Sequence, residues 1–391
     1  MPINHKKKIG VLTTSRADFG ILQNVILSLK KHFTLKIIVS GSHFLNYGEQ
    51  TRKEVLEFCY NNNLSFEFIK PAYNKKIKLC QASFLAKTQI EASKKLRNYK
   101  IDGLVYLGDR WELWGITIPA FFLGIPLFHI SGGEVTDGCI DDITRHAHSK
   151  MSHLHFVSSK KNAKVLYQLG EEHWRVNVCG EPGLDSLHKN KPDLNLKGTF
   201  DKKSILIVMH PATMDLKTSL DKQINGLLAA LSMKKLSKIK IMFSYPGNEI
   251  GSDYFVKKIN TFLQKNKNAE AFSHQGRNKF LNILRRSIMM IGNSSSGIVE
   301  APSLGVPSIN IGNRQRNRIA AKSVIQTGYG KDSIKKAILK ILNKKINKSF
   351  FINPYDPFSD GKNSERICMA IKKNLLSLKK VSLKEKRFQL K

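Results

Sequence analysis

The chain has 391 residues, 41% of them hydrophobic and 24% charged, and it carries a formal net charge of +35. This composition excludes a disordered chain, and the length is too great for one hydrophobic core, so we expect a globular protein of two domains. The lysines are spread along the whole sequence without a zinc-finger or RNA-binding signature, so we interpret them as a solvated surface and expect no nucleic-acid partner.

The cysteines and the N-terminus indicate the cellular compartment. The five cysteines are odd in number and lack C-x-x-C spacing, which argues for reduced thiols and against a zinc site. Residues 1–8 lead straight into a strand-like segment, so no signal peptide is expected. The most apolar stretch, Trp114–Ile130, is interrupted by Pro119 and Pro126, which favours a buried helix and strand over a membrane span. We therefore expect a cytoplasmic protein with no membrane partner.

Short apolar runs alternate with helical patterns along the chain. The first series of predicted strands is Ile9–Thr13, Leu35–Val39, Gly103–Leu107, Pro126–His129, Leu154–Val157 and Val176–Cys179. The second series is Ile205–Met209, Ile239–Phe243, Ile288–Ile291, Pro307–Ile311 and Ser323–Ile325. Helical spacing marks segments between them, including Gly20–Lys31, Phe84–Leu96, Asp141–Met151, Leu220–Leu231 and Ser333–Leu342. This alternation predicts an α/β fold with two doubly wound, Rossmann-like domains.

The polar segment Glu181–Lys203, which contains Pro182, Gly183 and Pro192, is the predicted linker. It separates an N-terminal domain, residues 1–185, from a C-terminal domain, residues 200–365. Residues 366–391 read as an amphipathic helix that crosses back to the first domain, followed by a mobile, lysine-rich end. Two doubly wound domains would hold their ligand in a cleft between them, at the carboxyl ends of the strands.

Polar residues follow the predicted strands of the first series. Arg16 lies in the turn after the first strand and is the natural partner of a phosphate, although the G-x-G-x-x-G pattern of a dinucleotide site is absent there. His43 follows the second strand in the same way. Asp109 and Arg110 come directly after the third, where a carboxylate beside an arginine is a frequent active-site pair but also a common helix cap.

A dense group of acids and histidines follows the fourth strand. Two glycines permit close approach of the backbone, and they lead to Glu134 and then to Asp141. Paired carboxylates at such a place suit general acid and base chemistry. His146 and His148 are two residues apart and point to different sides of a helix, which is a poor arrangement for metal ligands, so we expect no metal.

The segment Met290–Arg318 is the most informative of the chain. An apolar run ends in small residues that include Ser294 and Ser295, and a helix-like segment follows. Free backbone N–H groups at such a helix start favour an anion such as a diphosphate. Glu300, one turn further on, could accept from ribose hydroxyls, and Arg314 could bind phosphate. Two histidines elsewhere in this half are candidates for a phosphate contact and a base contact, His210 and His274.

Several blocks occur in a fixed order between about Val11 and Arg318. They are S-R-A-D, G-S-H-F-x-x-Y-G, G-D-R, H-I-x-G-G-E followed by I-D-D, R-H-A-x-x-K-M-S-H-L-H-F, H-P-x-T, and G-N-S-S-S-G through N-I-G-x-R-Q. Together they resemble the hydrolysing UDP-N-acetylglucosamine 2-epimerases, in the branch of the bacterial sialic-acid-pathway enzymes and the epimerase half of the animal bifunctional epimerase/kinase.

The resemblance implies a glycosyltransferase B-type fold that binds a UDP-amino-sugar. It also implies anti elimination of UDP through a 2-acetamidoglucal, followed by addition of water, without a metal or nicotinamide cofactor. Proton transfer would fall to Asp109, Glu134 and Asp141. UDP would be held by Arg16, Arg110, His210, His274, Ser294, Ser295, Glu300 and Arg314, and the sugar would contact His43 and Ser131. We also expect a homo-oligomer, a dimer or a tetramer.

Ser131 departs from the family pattern, because many relatives carry Glu or His at that place. The assignment of acid and base to individual carboxylates therefore stays open. Two substrates fit: UDP-N-acetylglucosamine, the family's commoner substrate and our first expectation, and UDP-2,4-diacetamido-2,4,6-trideoxyglucose of legionaminic acid synthesis. The alternative from another class is a glycosyltransferase of the same fold, which would move the sugar to an acceptor.

Overall fold

The computed structural model describes residues 6–44, 48–70, 80–136, 140–189, 204–212, 215, 217–247, 250–273, 276–343, 347–376 and 383–389. The chain divides into two compact units. The first contains Met1–Glu134, Ile143–Lys189 and Phe358–Lys391, and the second contains Val135–Asp142 and Asn190–Pro357. The C-terminal segment therefore belongs to the same unit as the N-terminus.

The strands of the first unit form one parallel sheet. Their bounds are β1 Lys8–Thr13, β2 Thr34–Val39, β3 Ser65–Phe68, β4 Gly103–Leu107, β5 Leu127–Ile130, β6 Leu154–Val157 and β7 Val176–Val178. Their order is β3-β2-β1-β4-β5-β6-β7. In the centre, Val11 of β1 is in register with Ile37 of β2 and with Val105 of β4.

The second unit repeats this arrangement with six parallel strands. Their bounds are β8 Ser204–Val208, β9 Lys240–Ser244, β10 Ala269–Phe272, β11 Ser287–Gly292, β12 Ser308–Ile311 and β13 Val324–Thr327. Their order is β10-β9-β8-β11-β12-β13. In each sheet the first strand along the chain lies in the interior, and the order reverses between β1 and β4 and between β8 and β11.

Helices connect the strands. Their bounds are α1 Arg16–Lys30, α2 Gly48–Asn61, α3 Gln81–Tyr99, α4 Trp114–Phe122, α5 Asp141–Met151, α6 Lys160–Gln168, α7 Asp185–Lys189, α8 Leu220–Leu231, α9 Ser252–Lys265, α10 Arg277–Arg285, α11 Ser296–Ser303, α12 Lys331–Asn343 and α13 Asn363–Leu376. Serine side chains cap the N-termini of α1, α6 and α8 by accepting from a main-chain N–H. Across the described ranges, no helix is long and apolar enough to cross a membrane.

Both sheets are buried on both faces. In β1, Ile9 and Val11 pack into one hydrophobic cluster and Leu12 into another, because successive side chains of a strand point to opposite faces. In β8, Ile205 and Leu206 likewise enter different clusters. Continuous apolar runs are what a parallel sheet covered by helices requires. The predicted α/β fold with two Rossmann-like domains is confirmed.

Two strands were missing from the prediction, β3 and β10. Both lie at the edge of their sheet and are only partly buried. Their sequences, Ser65–Phe68 and Ala269–Phe272, alternate a polar or small residue with a larger one instead of forming an apolar run. An edge strand covered on fewer sides does not need such a run, so the pattern that marked the interior strands does not mark these.

The segment expected to be a linker is partly folded. Glu181–Lys189 forms a short 3-10 turn and α7 within the first unit, and Asp185 is buried there. Its carboxylate accepts from the main-chain N–H groups of Asn363 and Ser364, at 2.9 and 2.7 Å, and so caps the start of α13. Residues 190–203 lie outside the described residues.

The C-terminal segment agrees with its prediction in the helix and differs from it in the residues that follow. The amphipathic helix α13 packs on α1 in the first unit, and Ile367 and Ile371 join its core. The mobile end expected from the lysine-rich composition is wrong for residues 383–389, since Leu383 is buried in that same core. Leu383 is thus one of the residues that hold the segment in place.

Replacing Asp185 by alanine should destabilise the first unit. The two amides at the start of α13 would lose a buried acceptor, which costs about 3 kcal/mol in the free energy of unfolding. The chain's three tryptophans, Trp111, Trp114 and Trp174, all lie in the first unit, so urea unfolding followed by tryptophan fluorescence reports on it. The control is Glu57→Ala, at an exposed position of α2 in the same unit, which should change that free energy by less than about 1 kcal/mol. Equal effects of the two substitutions would contradict this account.

Candidate active site

The sequence-predicted residues gather where the strand order reverses. In doubly wound sheets, ligands bind at the carboxyl ends of the strands at such a point. In the first unit, Arg16 follows β1, and Asp109 follows β4, its neighbour. In the second unit, His210 follows β8, and Ser294 follows β11, its neighbour. Each unit therefore presents candidate residues at its own reversal point.

Arg145 of α5 connects the loops that follow β4 and β5. Its Nη2 donates to the carboxylate of Asp109, and its Nη1 donates to the main-chain carbonyl of Glu134 at 2.9 Å. The Thr144 hydroxyl donates to the carbonyl of Asp109. Asp141 begins α5 one turn before Arg145, on the same side of the helix. Two predicted catalytic acids are thus tied to a buried arginine that the sequence analysis did not single out.

Two buried histidines, His129 and His148, lie close to the group formed by Arg145, Asp109 and Glu134, and both rings are neutral. Nε2 of His129 is 2.7 Å from the carbonyl of Gly108, and its Nδ1 is 3.2 Å from the Ser149 hydroxyl. Since a carbonyl only accepts, Nε2 carries the proton. His148 stacks on Trp114 with ring centres 3.8 Å apart. Burial lowers the pKa of His129 well below its usual value and lowers the pKa of His148 to about 3. Their role is packing and support of the loop at Gly108.

Ser131 occupies a strained position beside a buried carboxylate. Its φ is +62°, which is uncommon for a residue other than glycine. Its hydroxyl donates to Oε2 of Glu181 at 2.9 Å, and the Ser158 hydroxyl donates to the same oxygen at 3.1 Å. Glu181 was assigned to the predicted linker and so missed. The available signal was its place just after a strand, β7, which is where the other candidate residues also lie.

The two predicted phosphate-binding arginines of the first unit form ion pairs. Arg110 approaches the buried carboxylate of Glu112 with Nε at 3.2 Å and Nη2 at 2.7 Å. Arg16 pairs with Glu54 at 3.3 Å. The side chain of Arg110 is still 42% exposed, so it retains a face for a ligand. Binding of a phosphate by these arginines stays a prediction.

His43 is held inside the protein through both ring nitrogens. Its Nε2 lies 3.0 Å from the Thr13 hydroxyl, and its Nδ1 lies 2.9 Å from the Thr51 hydroxyl. Burial, with the charges of Arg52 and Arg110, lowers its pKa to about 4, so the ring is neutral at pH 7. The predicted sugar contact of His43 stays a prediction. Among the described residues, no three or more histidines, cysteines or acids are placed to hold a metal ion.

In the second unit, Asn293 joins the ends of β8 and β11. Its Oδ1 accepts from the main-chain N–H of His210 at 2.8 Å, and its Nδ2 donates to the carbonyl of His210 at 2.7 Å. Arg314 and Gln315 each donate to the carbonyl of Asn293 at 3.1 Å. The side-chain amide of Asn293 therefore positions the main chain of His210, and its main-chain carbonyl positions Arg314. The sequence analysis did not single out this fully buried residue.

The start of α11 is the predicted anion site, and anion binding there stays a prediction. Ser295 is the residue at the N-cap, and its own side chain makes no capping bond. Ser294 Oγ accepts from the N–H of Ser296 at 3.3 Å. The N–H groups of a first helical turn and the helix dipole attract an anion. Gly292 allows the turn before it, because a Cβ there would lie 1.8 Å from the carbonyl of Val208.

Glu300 lies further along α11 and is bonded to Arg277. Nη1 of Arg277 is 3.1 Å from Oε1 of Glu300, and the Glu300 side chain is nearly buried. A ribose hydroxyl would share this carboxylate with the arginine, and that contact stays a prediction. His274 lies outside the described residues, so its predicted contact with the base has no structural account here.

Comparisons with known proteins indicate the family of the chain. Residues 27–372 match the family described as UDP-N-acetylglucosamine 2-epimerase. A Campylobacter jejuni protein named GDP/UDP-N,N'-diacetylbacillosamine 2-epimerase (hydrolyzing) is 35% identical over 82% of this chain and 84% of the relative. A Neisseria meningitidis UDP-N-acetylglucosamine 2-epimerase is 32% identical over 85% of this chain and 86% of the relative.

A solved structure shares the fold. The S. aureus protein MnaA, solved with UDP, superposes with a TM-score of 0.75 over 96% of this chain and 99% of that one, at 20% identity. At that identity the likeness concerns the fold alone. The family match covers most of the chain, and the C. jejuni relative is similar over most of both sequences. The chain belongs to the UDP-N-acetylglucosamine 2-epimerase family.

Proposed function

We propose that the protein is a hydrolysing 2-epimerase of a UDP-2-acetamido sugar, which releases UDP and the free 2-epimeric sugar. The observation that carries the proposal is the contact of Arg145 with the carboxylate of Asp109 and with the main-chain carbonyl of Glu134, at the reversal point of the first sheet. The anion site at the start of α11 supports the nucleotide half of the proposal. The family of the chain supports both halves.

The reaction moves protons and breaks one carbon–oxygen bond. A base removes the proton at C2, the C1–O bond breaks, UDP leaves with the bonding electrons, and a C1–C2 double bond forms. Water then supplies a hydroxyl to C1, and a proton returns to C2 from the opposite face. Carbon is neither oxidised nor reduced overall, so the proposed reaction needs no nicotinamide.

Asp109, Glu134 and Asp141 are the groups we assign to these proton transfers. Carboxylates are effective general acids and bases when they are held within hydrogen-bonding reach of the reacting atom. Arg145 bonds the carboxylate of Asp109 and the main chain of Glu134, so the orientation of the Asp109 carboxylate and the place of the Glu134 backbone are set before substrate binds. Such prior orientation removes part of the entropic barrier.

The second unit supplies the proposed UDP site. Ser294 and Ser295 bring the start of α11 to the diphosphate, and Arg314 adds a guanidinium whose place is set by Asn293. When UDP leaves, negative charge grows on its terminal phosphate, and fixed N–H groups with a cation stabilise that charge. Glu300 would accept from the ribose.

For the sugar we propose N,N'-diacetylbacillosamine, the 2,4-diacetamido-2,4,6-trideoxy sugar, before N-acetylglucosamine. Two observations favour this order over the first expectation. The C. jejuni relative named for the diacetamido sugar is the more similar of the two relatives described above, by 35% against 32% identity. Ser131 also places a small neutral side chain, bonded to Glu181, where many relatives carry Glu or His, and this leaves room for an added acetamido group.

Incubation with each UDP-sugar in heavy water tests the function and the substrate together. We expect free sugar inverted at C2, deuterium at C2, and released UDP, all without an acceptor. Sugar transferred to an added acceptor, with no label at C2, would instead support a glycosyltransferase. We expect a higher kcat/KM for the diacetamido sugar, by about tenfold or more, because a pocket adapted to an amide rejects its absence. A hundredfold preference for UDP-N-acetylglucosamine, near 2.7 kcal/mol, would reverse the proposed order.

The variants Asp109→Asn, Glu134→Gln and Asp141→Asn should each lower kcat by about a hundredfold or more, as expected from losing a general acid or base. The dissociation constant of UDP, measured by titration calorimetry, should change little, because these groups are assigned to the sugar. Asp332→Asn, at an exposed position, is the control and should leave both values unchanged. Near-normal turnover in the three variants would refute the proposed acids.

Arg314→Ala and Ser295→Ala should weaken UDP binding instead. Losing a guanidinium that faces phosphate should raise the dissociation constant by about tenfold or more, and losing the serine hydroxyl should raise it by about fivefold. Arg97→Ala and Ser232→Ala, both at exposed positions, are the matched controls. If calorimetry gave the same UDP affinity for all four variants, the nucleotide would have to bind elsewhere.

A further inference from the structure

The helix α5 is bonded at both ends. Its N-terminal turn carries Asp141 and leads to Arg145, which holds Asp109. At its other end, Nζ of Lys386 donates to three main-chain carbonyls, those of Ser149 at 3.3 Å, Lys150 at 2.6 Å and Ser152 at 2.6 Å. The last carbonyls of a helix have no partner within the helix, and the helix dipole favours a cation there.

The segment that carries Lys386 is held by hydrogen bonds to its main chain. Arg175, which is fully buried, donates from Nη1 to the carbonyl of Leu383 at 3.0 Å and from Nη2 to the carbonyl of Glu385 at 2.6 Å. The N–H of Gln389 donates to the carbonyl of Gly170 at 3.0 Å. These bonds fix the backbone on both sides of Lys386, so its ammonium group is held at the C-terminal end of α5.

A buried glutamate balances the charge of the ammonium group. Oε2 of Glu171 is 2.9 Å from Nζ of Lys386 and 3.1 Å from Nε2 of His155, and Oε1 is 3.1 Å from Nζ of Lys150. Burial raises the pKa of Glu171, but the hydrogen bond and charge of His155, with those of Lys386, outweigh it and bring the pKa down to about 2. The carboxylate is therefore ionised at neutral pH, and Lys386 lies between it and the end of α5.

We propose that Lys386 is a positioning residue for the reaction, which it serves by fixing the place of α5 along its own axis. The inference rests on the proposed function. The helix has 11 residues and forms a short, rigid connection between the segment that carries Lys386 and the proposed catalytic acids Asp109 and Asp141. A displacement at its C-terminal end moves Arg145 and, with it, Asp109. Misplacement of reacting groups by about 1 Å can cost a hundredfold in rate.

The test compares Lys386→Met with Lys384→Met, which removes an exposed ammonium two residues away. For Lys386→Met we expect kcat to fall by about tenfold or more. The KM for the UDP-sugar and the dissociation constant of UDP should stay within about twofold, because the proposed UDP site lies in the other unit. Lys386→Arg, which keeps a cation and several donors, should recover most of the turnover, and Lys384→Met should match the unchanged protein.

Hydrogen exchange gives a readout that does not depend on turnover. In Lys386→Met, the amides of residues 145–148 should exchange at least several-fold faster than in Lys384→Met, while those of α8 should not change. Turnover within twofold of normal, or faster exchange confined to residues 149–152, would overturn the proposal. If Lys386→Met does not fold, as judged by tryptophan fluorescence, Lys386→Gln replaces it with the same expected outcomes. If the unchanged protein shows no epimerisation, the proposed function fails, and the exchange result still decides whether Lys386 positions α5.

Discussion

The buried guanidinium of Arg145 is the constraint on which the candidate site of the first unit depends. A cation that is almost wholly removed from water requires a carboxylate and further acceptors, since leaving it unpaired costs about 3 to 5 kcal/mol. Asp109 and the carbonyl of Glu134 meet that requirement. The same bonds that stabilise Arg145 bring the loops after β4 and β5 together. Under the proposed function, stability and chemistry share one set of contacts, and Asp109 serves both.

The net charge of +35 has little to do with the inner part of this site. Three buried acids of the first unit are compensated locally, Glu112 by Arg110, Glu181 by serine hydroxyls, and Asp18 by Thr13 and Thr14. No lysine of the described residues is fully buried, although Lys386 and Lys150 pair with the buried Glu171. A positive surface of this kind raises the local concentration of an anionic sugar nucleotide, and salt screens that effect.

Most of the fold followed from the sequence, because interior parallel strands need apolar runs and the helices between them need amphipathic spacing. The strands β3 and β10 were not predicted, because a strand at the edge of a sheet does not need an apolar run. At the site, the sequence pattern selected candidate residues that lie directly after strands, such as Asp109 and Ser294. Arg145, Asn293 and Glu181 were not assigned, since their importance arises from contacts across 20 or more residues of chain that no local pattern encodes.

The amide of Asn293 has a consequence for what substitutions position 293 can accept. It donates to the carbonyl and accepts from the N–H of one residue, His210, so it bonds both main-chain groups of that residue, as a directly paired residue of an antiparallel strand would. Aspartate has the shape but no donor, leucine has neither group, and glutamine is one methylene too long for the space. Asparagine is therefore the single side chain among the common ones that meets both demands. Homologues that keep this contact between the ends of β8 and β11 should show almost no variation at position 293, whatever sugar they process.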